Sequence, residues 1–458
     1  AKWGDHLHTI LYSNMLSSLN PHGMNFLGNL SHTLLERAAY AGAAGIDKAR
    51  SAITGKKREI YFVPALRRAA RAKAFYDVAG TLGRALDRGI NLAKEGFTIE
   101  QAERFDIPHG HSLPPIRING KDYWNPYEWP LRGLGSADEI QRSIAEQISI
   151  NDSCVTAAIN NLKRQGKRFG VEEIAEETIR VRDKLIEHPK IIEEARKQGD
   201  RILLTSPPGD RMLEPFMKMI NGEVLNTGLR PLKLVVPFVR VAANATKRGL
   251  EWGPIGTLEL LNPDLTTKER ELVISRAMLG TLAMAGLYTA AMAGAIDIKG
   301  EEPEGTGERS LQEASGRRGW SIRIPGTNRW VPLYISGVLS PMLYGVAAAV
   351  DATKAGKSDK EIQTAFWGGF RGIYKGVMDQ SYMQGLTTVL NALADSGGRW
   401  QNYVDSAVGN VMGQFVPMGG LVGQVANATD KVKRDTRRWS DDKSLLGPAV
   451  SRVKSRIP

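Results

Sequence analysis

Three long stretches in the C-terminal half of this chain carry no charged residue, although charged residues make up 24% of the whole. They are Ala277–Ile296, Trp330–Val350 and Ser406–Thr429. A helix needs about 20 apolar residues to cross a hydrocarbon layer roughly 30 Å thick, and the first stretch has that length. All three are only moderately apolar, because Gly, Pro, Asn and Gln interrupt them, so none predicts a strong constitutive span. Each stretch therefore belongs either to a protein core or to a lipid contact.

Small residues recur at helical spacing inside the first stretch, at Gly286, Ala290 and Gly294. Such a face lets helix backbones approach closely, both in lipid and in a tightly packed soluble bundle. Together with Leu282 and Leu287 it forms the predicted membrane-contact or helix-packing face. Two interpretations stay open: buried core helices of a large soluble assembly, or helices that insert into a bilayer only when their protein neighbours are lost.

The chain is basic, with a net charge of +12, which favours nucleic acid, anionic lipid or an acidic protein as a partner. Two basic runs are the candidates for contacting DNA phosphates or lipid head groups. Their residues are Lys56, Lys57, Arg58, Arg67, Arg68, Arg71, Lys433, Arg434, Arg437 and Arg438. Aromatic residues that would stack on bases are sparse among them, so any DNA binding is expected to ignore base sequence.

The periodicity of apolar residues predicts a mainly α fold, an extended multi-helix assembly with a short β hairpin and long irregular connections. We predict an N-terminal helical domain with a basic segment at 1–105 and a Pro- and aromatic-rich connector at 106–135. A charged helical domain at 136–230, an apolar helical domain suited to membrane contact at 231–430, and a basic tail at 431–458 follow.

Local signals place several elements within this outline. Helices are predicted from Met24 to Gly45, from about Ala65 to Ala93, and singly or as a pair over Val171–Lys197. Capping residues at Ser136–Glu139 and at Asp264–Glu269 each predict a helix start. Short hairpins are predicted at Ile116–Lys121 and at Trp320–Trp330.

Three segments, in order along the chain, carry a family resemblance. The first contains His22 and Asn25, followed by Gly28-Asn29. The second contains Pro237, Phe238 and Arg240, then Asn244; the third contains Gly319-Trp320 and then Trp330. These segments resemble the internal virion, or ejection, proteins of podophages, similar to those of the T7-like and N4-like groups. The chain departs from the family pattern at Ser18, Pro21 and Val241-Ala242, where Gly, Thr and Thr-Pro are usual.

The resemblance implies a structural protein that resides inside the capsid and reaches the host cell envelope after infection. There it would help to form an oligomeric conduit for genome translocation. The implied partners are further copies of the chain, other virion proteins (portal, internal core and tail), double-stranded DNA bound non-specifically, and the host inner membrane.

Two alternatives are left open: a DNA-associated internal capsid core protein that does not enter membrane, and a peptidoglycan-degrading enzyme. The chain has no phosphate-binding Gly-rich loop and no His-Glu-x-x-His motif, and Glu313 lies in a polar segment unlike a lysozyme-type site. His109 and His111 have no evident third metal ligand, and the single Cys154 excludes an internal disulfide. We therefore expect no enzymatic activity, no cofactor and no metal.

Overall fold

The computed structural model describes residues 3–17, 19–63, 75–98, 113–114, 116–123, 125–166, 168–206, 222, 230, 239–301, 319–378 and 421. Within these ranges the chain is mainly helical with two small sheets, which confirms the predicted fold class. Several predicted features lie outside the described residues. They are Arg67, Arg68, Arg71, Pro237, Phe238, the pair His109 and His111, the stretch Ser406–Thr429 apart from Leu421, and the basic tail with Lys433, Arg434, Arg437 and Arg438.

The N-terminal region forms three helices: α1 (Trp3–Met15), α2 (Leu19–Thr54) and α3 (Phe75–Glu95). The helix predicted over Met24–Gly45 is part of the longer α2. Helix α1 ends at Met15, and Asn20-Pro21 lies in the first turn of α2. A proline is tolerated there because the first N–H groups of a helix have no intrahelical acceptor.

The predicted first hairpin is confirmed as strands β1 (Ile116–Ile118) and β2 (Lys121–Tyr123). Its two turn residues, Asn119 and Gly120, both have positive φ, as a two-residue hairpin turn requires.

Helix α4 (Trp129–Arg164) follows a 3-10 turn at Pro126–Glu128. The prediction that a capping box at Ser136 opens this helix was wrong, because α4 already begins at Trp129 with Pro130 in its first turn. The Ser136 hydroxyl instead donates to the Gly89 carbonyl at 2.7 Å and joins α4 to α3. The last part of the predicted connector at 106–135 is therefore helical.

The middle of the chain continues with α5 (Val171–Leu185), α6 (Pro189–Ile202), α7 (Val239–Glu251), a 3-10 segment (Pro254–Leu261) and α8 (Thr267–Met292). The pair of helices predicted over Val171–Lys197 is confirmed as α5 and α6. The predicted start near Asp264 is also confirmed: Thr266 caps α8 by accepting the Glu269 N–H at 3.3 Å, and Glu269 accepts the Thr266 N–H at 2.8 Å.

The second hairpin is confirmed as β4 (Ser321–Arg323) and β5 (Trp330–Pro332), and a strand not predicted from sequence, β3 (Ile298–Lys299), pairs with β4. A 3-10 segment (Leu333–Leu339), α9 (Ser340–Lys354) and α10 (Asp359–Met378) follow.

The main hydrophobic core draws on α2, α8, α9 and the β3–β5 sheet. Its buried members are Ala39, Trp252, Met284, Ala291, Ile298, Leu333, Met342, Tyr344, Val346, Ala347 and Val350. More than half of them come from the charge-free stretch Trp330–Val350, so the core interpretation applies to that stretch. Helix α2 contacts α4, α6 and α8, so helices from three of the predicted domains pack against one another.

Candidate functional site

Helix α8 contains the first charge-free stretch and divides into two unlike halves. The charged half, Thr267–Arg276, contains every charged residue of the helix. The apolar half, Ala277–Met292, contains none. An 18-residue window of α8 has a mean hydropathy of 1.4, and only 33% of that window is buried. Among the described helices, α8 alone is long and apolar enough to cross a membrane.

The charged half is anchored by a buried charge cluster, which we define as Glu36, Arg201, Arg248, Glu251 and Arg276. Arg276 donates twice to Glu36, from Nε at 3.1 Å and from Nη2 at 2.8 Å, and Arg201 Nε donates to the same carboxylate at 3.1 Å. Glu251 accepts from Arg201 and, at 2.6 Å, from Arg248. The cluster thus ties together α2, α6, α7 and α8.

Electrostatics keep the acids of this cluster ionised despite their burial. Burial by itself would raise the pKa of Glu36, but Arg201, Arg276 and His32 outweigh it and hold that pKa well below its usual range. The pKa of Glu251 is likewise lowered, because neighbouring arginines outweigh its burial. Burial and the neighbouring Arg201 lower the pKa of Arg248 to about 10. Each charge is stabilised by its partners rather than by water.

Close backbone contacts complete the anchoring of α8. Ser275 Oγ donates to the Ala39 carbonyl of α2 at 2.7 Å. Gly280 lies so near Trp252 that a Cβ at this position would stand 1.7 Å from the Trp252 carbonyl oxygen. Only a glycine permits this approach of α8 to the end of α7.

Half of the residues of the apolar half, by contrast, are exposed to solvent. Met278 is 54% exposed, Leu282 is 65% exposed and Met292 is 39% exposed. The exposed residues are Met278, Thr281, Leu282, Ala283, Ala285, Gly286, Thr289 and Met292. Several of them recur three or four residues apart, so they form one continuous apolar face along the helix. A soluble protein normally gives such a face a partner.

The predicted small-residue face is only partly realised. Gly286 is exposed, and a Cβ there would meet nothing within 4 Å. Ala290 is half-buried, and Gly294 lies beyond the end of the helix with φ of 75°. Leu287 packs against the main core, whereas Leu282 does not. The three small residues therefore do not form one packed face, and the close backbone approach occurs at Gly280 instead.

The resemblance residues of the first segment form a second buried polar group, between α2 and α4. Asn25 and Asn29 both donate to Asp138 Oδ1, the latter at 3.3 Å. His22 stacks on Trp129 with ring centroids 5.9 Å apart and contacts the Leu16 carbonyl at 2.9 Å.

Asp138 differs from Glu36 because amides rather than arginines surround it. Burial raises the pKa of Asp138 to about 7, although the hydrogen bond from Asn25 and the charge of Arg142 partly oppose this effect. The sequence drew attention to Asn25 but gave no sign of this acid, since 113 residues separate the two.

The remaining resemblance residues are structural where their side chains are described. Asn244 of α7 donates to the Leu204 and Ser206 carbonyls at 2.7 and 2.8 Å and so closes the end of α6. The ring of Trp320 lies 4.7 Å from that of Tyr344, and Trp330 begins β5 opposite Arg323. Arg240 lies in the first turn of α7.

Sequence reasoning missed the buried charge cluster altogether. One signal was present: Glu36 is the first acidic residue after a run from His6 to Leu35 without Asp, Glu, Lys or Arg, and it lies four residues after His32 on the same face of α2. Acids placed on an apolar helix face are buried only when paired. A cavity of about 70 Å³ beside Glu36 and Arg276 is large enough for a few water molecules.

The described residues offer little for catalysis or metal binding. No group of three or more His, Cys, Asp or Glu side chains suited to a metal occurs among them. Cys154 is buried, and burial raises the pKa of its thiol to about 11, which disfavours the reactive thiolate.

Comparison of the chain with protein-family models, with curated proteins and with solved structures found no match.

Proposed function

We propose that this chain is a structural bacteriophage virion protein, released at infection, that helps to form an oligomeric conduit for the genome across the host envelope. Two kinds of support exist: the three ordered segments that resemble podophage ejection proteins, and the physical character of α8. The observation that carries the proposal is the exposure of the apolar half of α8.

A helix that leaves a soluble body for lipid must lose little packing and gain apolar contact. The exposed side chains of the apolar half gain roughly 25 cal/mol per Å² of apolar area removed from water, whereas Met284 and Ala291 must leave the main core on insertion. The charged half stays behind, because its charges are paired within the protein. Arg276 is therefore the last charged residue before the inserting part, and the contact of Gly280 with Trp252 must open when that part inserts.

The length of the helix makes the proposal more specific. The apolar half rises by about 24 Å, at 1.5 Å per residue, which is short of a hydrocarbon core of roughly 30 Å. Extension through Gly294 to Ile296 would bring it to that length. Gly294 now has φ of 75°, so insertion requires this turn to become helical. We expect added helical circular dichroism when the chain binds vesicles.

The experiment compares Leu282→Lys with a control, Ile179→Lys, in dye release from vesicles that contain phosphatidylserine. Both side chains are exposed apolar residues, on α8 and α5 respectively, so neither change should disturb folding. A charge at the lipid-facing position costs about 2.5–3.5 kcal/mol on insertion. We expect release by the wild type and by the Ile179 variant, and a loss of at least tenfold in rate for the Leu282 variant.

Absence of release by the wild type, or equal release by all three proteins, would overturn the proposal. Release lost in both variants would also overturn it, because the effect would then not belong to α8.

A further inference from the structure

A second surface of the molecule, remote in sequence from the apolar half of α8, begins at the loop after α2. Asp47 is buried and accepts the N–H groups of Glu59 and Ile60, both at 2.8 Å. Ser51 Oγ donates to the Lys56 carbonyl at 2.6 Å, and Arg50 donates to the Lys57 carbonyl at 3.3 Å. The loop backbone is therefore fixed, while the side chains of Lys56 and Lys57 remain exposed.

Tyr61 joins this loop to the end of α4. The Arg58 guanidinium carbon lies 4.4 Å from the centre of its ring, and Lys163 Nζ donates to its hydroxyl at 3.1 Å. Tyr61 also belongs to a buried cluster with Ile159 and Leu162 of α4, against which Val63 and Phe169 pack. Tertiary structure thus places two basic segments, about a hundred residues apart in sequence, next to each other.

The result is a basic surface, which we define by its exposed cations: Lys48, Lys56, Lys57, Lys163, Arg164 and Arg168. Within the described part of the chain, Lys48, Lys56, Lys57, Arg164 and Arg168 form no ion pair. Arg58 is not part of this surface, because it donates to the Ala44 and Ile60 carbonyls. The exposed acids nearby in sequence are Glu59, Glu172, Glu173 and Glu176, so the six cations of the surface outnumber these four acids.

We infer that the basic surface binds the phosphate backbone of double-stranded nucleic acid without reading base sequence. Cations fixed on a rigid, folded surface are suited to a stiff polyanion and displace its counterions on contact. A bilayer site usually adds several exposed apolar anchors to its cations. Here Ile53 is the exposed large apolar side chain of the adjoining helix end, whereas the apolar face lies on α8. The inference does not depend on the proposed function.

The test uses a fluorescent 30-base-pair duplex of arbitrary sequence, with anisotropy measured over a range of salt. Two double variants neutralise the surface from its two sides: Lys56→Gln with Lys57→Gln, and Arg164→Gln with Arg168→Gln. The control, Lys357→Gln with Lys360→Gln, removes the same charge from two exposed positions, one before α10 and one in its first turn. The Lys56 and Lys57 side chains are exposed, and the hydrogen bonds to their backbone carbonyls survive the change.

Each phosphate contact contributes about 0.9 to the slope of log affinity against log salt. We expect each surface variant to lower that slope by about 2 and to weaken binding at every duplex sequence alike, while the control matches the wild type. No duplex binding by the wild type, or a loss confined to one surface variant, would overturn the inference. So would unchanged duplex binding together with weakened binding to phosphatidylserine vesicles, which would assign the surface to lipid.

Discussion

The two halves of α8 reverse the usual relation between polarity and burial. In the charged half only Glu269 is exposed, and Glu271, Ser275 and Arg276 are buried. The apolar half, which a hydropathy argument would place in the core, leaves Met278 and Leu282 more than half exposed. Paired charges therefore decide which part of the helix is held in the protein, and apolar character does not by itself secure burial. The comparison yields predictions for single substitutions, whose expected effects on the free energy of unfolding differ in size.

The largest effect is expected where a buried charge loses its partner. Glu36→Gln should lower the free energy of unfolding by about 3–5 kcal/mol, because Arg276 then keeps a buried charge without a counter-ion. Chemical denaturation measures it. Glu194→Gln is the control: this exposed acid lies 3.5 Å from Lys268 of α8, and its loss should cost under about 1 kcal/mol. Equal losses in the two variants would contradict the anchoring role of the cluster.

Asp138 tests whether pairing, rather than burial, is what stabilises a buried acid. Its folded pKa of about 7 exceeds the ordinary 3.8, so as pH rises the unfolded chain loses its proton first. Stability should therefore fall between about pH 4 and pH 7 and level off above, by up to about 4 kcal/mol. Asp138→Asn should remove that slope and stabilise the protein at pH 8.

The measurement is the free energy of unfolding of both proteins at pH 4, 6 and 8. An exposed acid of α5 supplies the control, since Asp183→Asn should change stability by under about 0.5 kcal/mol at each pH. If wild type and Asp138→Asn show parallel pH dependence, the assignment of a raised pKa is wrong.

Two glycines of the apolar half separate its packed side from its free side. Gly280→Ala should cost about 1–3 kcal/mol, because the new methyl group meets the Trp252 carbonyl oxygen. Gly286→Ala adds a methyl group in open space and should stabilise the helix by about 0.5–1 kcal/mol. Thermal unfolding of the two variants and the wild type measures both changes in stability. A destabilised Gly286 variant would mean that this face is packed after all.

The smallest effect is expected on the exposed face itself. Leu282→Lys should change the unfolding free energy in solution by no more than about 0.5 kcal/mol, since the side chain is 65% exposed. Denaturant titration checks this. A large loss would show that Leu282 is buried in solution and would remove the contrast between the two halves.

Prediction from sequence succeeded where the signal is local. The cap at Thr266 and Glu269 involves residues three apart, and the turn at Asn119-Gly120 needs only two residues that accept positive φ. It failed at the start of α4, where Ser136 had the correct residue type but Pro130 already lay inside the helix. Strand β3 was missed because two residues are too few for a periodic pattern.

The sequence by itself determined the helical fold class, the charge-free stretches and their bracketing charges, because periodicity and composition are properties of neighbouring residues. Tertiary structure alone decided which stretch is buried. Trp330–Val350 supplies most of the core, whereas the apolar half of α8 adds Met284 and Ala291 to it and leaves half of its own residues exposed. The reason is long-range pairing: Glu36 meets Arg276 across 240 residues, and Trp252 meets Gly280 backbone to backbone. No local pattern encodes such contacts.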